Sequence, residues 1–195
     1  MSRVILLRTF APLTALLFTL AFAVSPAASQ SAAAWNALKS GKAVAIMRHA
    51  KAPHPRGAKR TNKGVRMVNL WTCAGQRNLS AAGRAQAQRI GAHLRRRGIG
   101  SARIISSAYC RTKDTASLLG LGGVSTDYTL NALSKPSARQ QTAGFRALIR
   151  SAPAGMPTIL VTHKTNIRAL TGVTPSSGET LIVNRRGRVI GRFKR

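Results

Sequence analysis

Two short stretches constrain the fold more than anything else in the chain: "AVAIMRH" at 43–49 and "TILVTH" at 158–163. Each is apolar or β-branched along its length, with no alternation of polar residues. That is the pattern of a strand buried on both faces, which requires a layer of helix on each side. Each stretch also ends on a histidine, and a buried strand has no packing reason to end that way.

The rest of the chain supplies the helices. "LSAAGRAQAQRIGAHLRRRG" has Ser80 as N-cap, an apolar face of Ala87, Ile90 and Leu94, and Gly98 as its stop. "ARIISS" (102–107) reads as another strand, and "YCRTKDTASLLG" as a short helix ending at Gly120. "SARQQTAGFRALIRSAP" predicts an amphipathic helix, and "KTNIRALTG" a helix closed by Gly172. "AAWNALKSG" in segment 30–42 predicts one helix closed by Gly41, and "ETLIVNRRGRVIGRF" a hairpin turning at Asn184–Gly187. Segment 51–78 lacks periodicity and reads as a long basic loop. The expected fold class is α/β: a single domain with a mostly parallel central sheet and helices on both faces.

The 195 residues suit one domain. Charge is lopsided: 32 Lys and Arg stand against 3 Asp and Glu, a net +29. Such a chain attracts anions, whether phosphates, glycolipid surfaces or nucleic acid. Aromatic content of 5% without basic–aromatic interleaving argues against a nucleic-acid reader that stacks bases. The start, "MSRVILLRTFAPLTALLFTLAFAVSPAASQ", has the order of a secretory signal peptide, with cleavage expected after Ser29 and a mature domain over 30–195. An uncleaved anchor is the alternative. In an oxidising compartment Cys73 and Cys110 are expected to form a disulfide. Neither sits at zinc-ligand spacing, and no metal or cofactor is expected.

In a parallel sheet, ligands bind beyond the carboxyl ends of the strands. Arg48-His49, Ser106-Ser107 with Arg111, and His163 all follow strand ends. Two histidines and two arginines gathered at one edge suit phosphoryl transfer. Guanidinium forks hold phosphate oxygens bidentately, and a neutral imidazole is a competent nucleophile toward phosphorus.

The stretches "AIMRHA", "NLSAAGRAQAQRIGAHLRRRGI", "RIISSAYCRTKDTA" and "ILVTHKTNIRALTGV" make the chain resemble the histidine phosphatase superfamily, which has the phosphoglycerate mutase-like fold. Within it the chain looks most like exported members related to lipopolysaccharide core heptose phosphate phosphatases. The resemblance implies that His49 is the phosphorylated nucleophile and that Arg48, Arg111 and His163 bind phosphoryl oxygens. The implied activity is a metal-independent phosphomonoesterase in the periplasm or outside the cell. The implied partners are a phosphorylated small molecule or glycolipid and an anionic envelope surface, with no specific nucleic acid.

The chain departs from the family in its acids. Many members carry a proton-donating carboxylate in a stretch resembling "TLNALS" (129–134), which here has none. Only Asp114, Asp127 and Glu179 exist. Asp114 is expected to orient Arg111 or neighbouring backbone, Asp127 to sit at a turn or strand edge, and Glu179 is the candidate general acid, with a salt bridge to one of the abundant arginines as its alternative. The alternative is that no donor exists, which suits a good leaving group or a catalytically weak polyanion-binding protein. Lys51 and His54 are expected on a solvated loop face, His93 in a structural role and Trp71 in core packing. "LRRRG" and "NRRGR" are either anionic-surface patches or a helix end and a hairpin tip suited to arginine.

Overall fold

A computed structural model describes residues 26–53, 69–133 and 137–195. Six strands form one sheet: β1 (Ala43–Arg48), β2 (Arg103–Ser106), β3 (Val124–Thr126), β4 (Thr158–Thr162), β5 (Thr180–Asn184) and β6 (Val189–Phe193). Their order is β3-β2-β4-β1-β5-β6. β3, β2, β4 and β1 run parallel, while β5 and β6 close one side antiparallel. Helices α1 (Pro26–Lys39), α2 (Ala81–Arg96), α3 (Cys110–Leu118), α4 (Ala138–Arg150) and α5 (Lys164–Thr171) cover the sheet, with a 3-10 turn at Tyr128–Leu130. This is the expected single-domain α/β architecture, with a mostly parallel central sheet. Among the described residues no helix is long and apolar enough to cross a membrane.

The apolar run of β1 follows from its two-sided burial. Ala45 and Met47 pack with Leu38, Ile90, Leu94 and Leu119, the layer made by α1, α2 and α3. Val44 and Ile46 pack with Phe145, Ile149 and Ile167 of α4 and α5. Ile159 and Val161 of β4 go to the first layer, and Leu160 goes to the second. Alternate residues therefore serve opposite cores, and a polar residue at either phase would be buried without a partner.

The helix ends obey their signals. The Ser80 side chain accepts from the Gly83 amide at 3.2 Å, and Gly172 closes α5 in the left-handed conformation with φ 76°. Gly83 also permits a close approach: a Cβ there would lie 2.0 Å from the Lys51 carbonyl oxygen. The start of α2 thus rests directly on the chain leaving β1.

Three expectations need correction. Helix α1 begins at Pro26, well upstream of "AAWNALKSG". β3 and the 3-10 turn carry no sequence signal: β3 is a three-residue edge strand, largely exposed, that owes its existence to pairing with β2. Trp71 is 93% exposed rather than packed in the core. Asp114 does not orient Arg111; its carboxylate lies 3.7 Å from Arg84 on α2. Lys51 is exposed as expected, and His54 lies outside the described residues.

Candidate active site

The sheet order places β4 between β1 and β2, so the residues just past these three strands must be neighbours. The His49 amide extends the ladder to the Thr162 carbonyl at 3.0 Å, and the Ser107 amide does the same to Val161 at 3.1 Å. His163 follows β4 directly and caps the start of α5. The His49 and His163 ring centroids are 5.5 Å apart. Arg111 enters from the first turn of α3, its guanidinium carbon 4.3 Å from the Tyr109 ring centroid.

Backbone contacts fix each histidine's tautomer. His49 Nδ1 lies 2.8 Å from the Ala50 carbonyl, which can only accept, so Nδ1 carries the proton and Nε2 keeps its lone pair. His163 has the opposite arrangement. Arg111 donates to its Nδ1 at 3.2 Å, which leaves Nε2–H to donate to Ser107 Oγ at 2.8 Å. Ser107 passes on to Thr112 Oγ1 at 2.6 Å, and Thr112 to the Tyr109 carbonyl at 2.6 Å. All three of Ser107, Thr112 and His163 are buried.

Burial above all lowers the His49 pKa, to about 3; the bond to Ala50 opposes this, while Arg111, Arg48 and Arg77 reinforce it. His163 is likewise held well below the usual histidine range, first by burial and then by Arg111, His49, Arg77 and Arg48. Both imidazoles are therefore neutral at pH 7. Arg111 is itself pushed down to about 10, by burial and then by Arg77 and Arg48 against the opposing effect of Tyr109. The Nε groups of Arg48 and Arg111 are buried with no hydrogen-bond partner. A buried unsatisfied donor costs about 1–3 kcal/mol. Two of them beside a bare imidazole nitrogen describe a site that an oxyanion would complete.

The structure thus assembles Arg48, His49, Arg111 and His163. It does not bring Glu179 in as an acid. Its carboxylate accepts from the Ser176 amide at 2.9 Å and hydroxyl at 3.0 Å, and lies 3.2 Å from Arg192. Burial pushes its pKa up, but the Ser176 bonds, Arg192 and Lys194 outweigh that and lower it. A proton donor needs the reverse. The backbone of Glu179 serves the site instead, accepting from the Arg48 amide at 3.1 Å.

The sequence pointed to neither Arg77 nor Thr112, and it placed Ser107 at the strand end without assigning it a role. Arg77 Nε donates to the Ala52 carbonyl, and its charge is felt at His49, His163 and Arg111. In a chain with 32 cations, one more basic residue in a basic loop gives no signal. Its position one residue before "NLS", where the chain returns to the N-cap of α2, was the available clue. Among the described residues no group of three or more His, Cys, Asp or Glu side chains could hold a metal ion.

The disulfide joins the two basic segments. Cys73 and Cys110 are bonded, with Cα atoms 5.7 Å apart. Gln76 seconds it, accepting from the Cys110 amide at 3.0 Å and donating to the Asn69 and Thr72 carbonyls. The loop carrying Arg77 is therefore fastened to the residue before Arg111.

Fold and site together define an α/β domain with two neutral histidines and a cluster of arginines at one sheet edge. Residues 44–134 match the family model of the histidine phosphatase superfamily (branch 1). The protein histidine phosphatase SixA solved with tungstate superposes with a TM-score of 0.53 at 16% identity, covering 78% of this chain and 96% of SixA. A candidate phosphohistidine phosphatase SixA from Agrobacterium tumefaciens gives 0.56 at 16% identity, covering 80% and 99%. A protein of Thermus thermophilus, TTHB049, gives 0.54 at 17% identity, covering 78% and 99%. No curated protein sequence matches the chain.

Two outcomes are expected from this geometry. The disulfide closes a span of 37 residues, which in the chain-entropy model stabilises the fold by about 4 kcal/mol. Reduction is expected to lower the melting temperature and weaken binding of a phosphate analogue such as tungstate together. Unchanged tungstate affinity in the reduced, folded protein would show that the clamp does not shape the site. The second concerns acid. Folded His49 takes up a proton near pH 3, an unfolded histidine near 6.5, so between these values the unfolded chain binds more protons. Unfolding free energy should fall as pH drops through that window, and His49→Asn should flatten part of the slope. An identical slope in the variant would mean that His49 is not held neutral.

Proposed function

We propose that the protein is a phosphatase that works through a phosphorylated His49. One observation carries this reading: the bare Nε2 of a neutral, buried imidazole lies in the field of two half-buried arginines whose buried Nε donors lack acceptors. In the first step the Nε2 lone pair forms a bond to phosphorus while the bond to the leaving group breaks, its electron pair departing with that group. Water then attacks the phosphorus and Nε2 leaves with its pair, releasing phosphate. Arg48 and Arg111 hold the equatorial oxygens as charge develops on them, and His163, fixed by Ser107, borders the same oxygens.

The acids bear on the substrate. The chain's side-chain carboxylates are Asp114, Asp127 and Glu179. Asp114 faces Arg84, Asp127 accepts from the Thr129 amide and hydroxyl, and Glu179 is held by Ser176 and Arg192. None is placed to protonate a leaving group. This favours phosphoryl donors whose leaving group needs no proton from the enzyme, such as aryl or acyl phosphates, or phosphoramidates that already carry the proton on the leaving group, a ring-protonated phosphohistidine side chain among them. A sugar phosphate of an envelope glycolipid is an alkyl ester whose departing alkoxide needs a proton, so it fits less well. Export through residues 1–29 belongs to the proposal; the Cys73–Cys110 pairing supports it, since oxidising compartments favour disulfides.

With aryl phosphates, kcat/KM should fall steeply as the leaving-group phenol becomes more basic, chelators should not matter, and rapid quench should trap acid-labile phosphate on His49. His49→Ala should abolish turnover; full activity in that variant would sink the proposal. Arg111→Lys is expected to lose about a hundredfold in kcat/KM, or on the order of 3 kcal/mol, because an ammonium cannot reproduce the planar fork. A loss of only a few-fold would place Arg111 outside the phosphoryl pocket.

A further inference from the structure

The catalytic edge uses three of the chain's arginines. A second group gathers at the opposite edge of the sheet. Asn184 pairs with Ala43, the first residue of β1, whereas His49 follows the last. The turn between β5 and β6 therefore lies about 20 Å from the nucleophile along the strand direction. There a cleft of about 200 Å³ is lined by Arg146, Arg150, Arg185, Arg186 and Gly187. It shares Arg146 with a shallower cavity of about 390 Å³ that runs along α4 past Arg139. Arg139, Arg146 and Arg150 are seven and four residues apart, so they form one exposed stripe on α4, about 16 Å long.

Three features mark this as more than a solvated basic face. Arg185 is built into the fold: its guanidinium donates to the Ile149, Arg150, Gly41 and Pro153 carbonyls at 3.1, 3.0, 2.6 and 3.4 Å. It fixes the cleft wall and contributes a charge that these neutral acceptors do not cancel. Next, every side-chain carboxylate of the chain is engaged elsewhere, so none neutralises the stripe. Last, Arg139 stands in the first turn of α4, where a cation opposes the helix dipole. Gly187 adds shape: a Cβ there would lie 3.5 Å from Arg146 and from Leu170, tightening the cleft.

We propose that the α4 stripe and the β5–β6 turn form a second anion site, separate from the catalytic one, that takes a linear chain of phosphates. A linear ligand fits because the cations lie in a row that continues into the cleft. Recognition goes through phosphate oxygens rather than bases, since among the described residues no aromatic side chain lines either cavity. Non-specific attraction to a protein of charge +29 is the competing explanation, and it makes no distinction between one exposed arginine and another.

The test compares two charge-matched double variants of the full protein: Arg146→Ala with Arg150→Ala on α4, and Arg89→Ala with Arg96→Ala on α2, all four residues being exposed. Binding of labelled inorganic polyphosphate is measured across a salt series. The α4 pair should weaken binding by about tenfold or more and lower the salt slope by about two, while the α2 pair changes little. Both should hydrolyse an aryl phosphate at the wild-type rate, which confirms folding and separates this site from His49. A single-stranded oligonucleotide showing the same dependence on the α4 pair assigns the site to phosphate backbones in general. If it shows none, the site is for phosphoanhydride chains. Equal weakening by the two pairs overturns the proposal in favour of diffuse charge. So does binding to anionic-lipid vesicles with none to polyphosphate.

Discussion

Three guanidiniums converge on two imidazoles that are kept neutral, and much of the surrounding structure holds that concentration of charge in place without cancelling it. Left to themselves, Arg48, Arg77 and Arg111 would move apart; Arg77 and Arg48 both lower the proton affinity of Arg111, and Arg48 lowers that of Arg77. Arg48 is tied to β1 and donates to the Pro175 carbonyl at 3.0 Å. Arg77 is tied to Ala52, and its loop to Cys110 by the disulfide. Arg111 lies over Tyr109, where a π face takes the charge. No carboxylate enters. A carboxylate would relieve the repulsion, and it would also occupy the forks that an incoming phosphoryl group needs.

The two histidines gain distinct roles from their backbones rather than from their own chemistry. The chain leaving β1 turns so that the Ala50 carbonyl takes the Nδ1 proton of His49, and the Ala50 amide is held by Thr115 Oγ1 at 3.0 Å. Thr115 in turn donates to the Arg111 carbonyl at 2.7 Å. The nucleophile's orientation is thereby coupled to the helix that carries the phosphate-binding arginine. His163 is locked from the other side by Ser107, which the β2 ladder positions. Displacing α3 would disturb both rings and Arg111 at once.

This coupling explains what the sequence could and could not reveal. Arg48-His49 and His163 were legible because strand ends in a parallel sheet leave their residues at one edge, and the apolar runs before them fix those ends. Cys73 and Cys110 were legible from their number and the nature of the N-terminal segment. Arg77 was not, because the loop that carries it has no periodicity and its placement depends on a disulfide and on Gln76 reaching back to Cys110. Thr112, and the part Ser107 plays with it, were hidden for a related reason: a buried hydroxyl relay has the composition of any strand end followed by a helix start. Glu179 looked available because its neighbours in sequence say nothing of Arg192, which arrives from β6. β3 went unseen because three half-exposed residues carry no burial pattern of their own.

The scarcity of acids leaves its mark on the whole fold, because arginine here does structural work through carbonyls. Arg95 donates to the Leu119 and Gly120 carbonyls at the end of α3, Arg185 to four carbonyls around the end of α4, Arg48 to Pro175 and Arg77 to Ala52. Several of these acceptors are helix-terminal, where carbonyl groups lack intrahelical partners and carry the negative end of the dipole. A carbonyl anchors a guanidinium by geometry but removes none of its charge. A salt bridge does both. A protein stabilised this way keeps its full positive field while remaining ordered, so the same residues that close helices also keep both sheet edges attractive to phosphates. On this reasoning the fold tolerates +29 because the arginines that tie its elements together rest on carbonyls rather than on acidic partners, and adding carboxylates to relieve repulsion would remove the property that the two edges share.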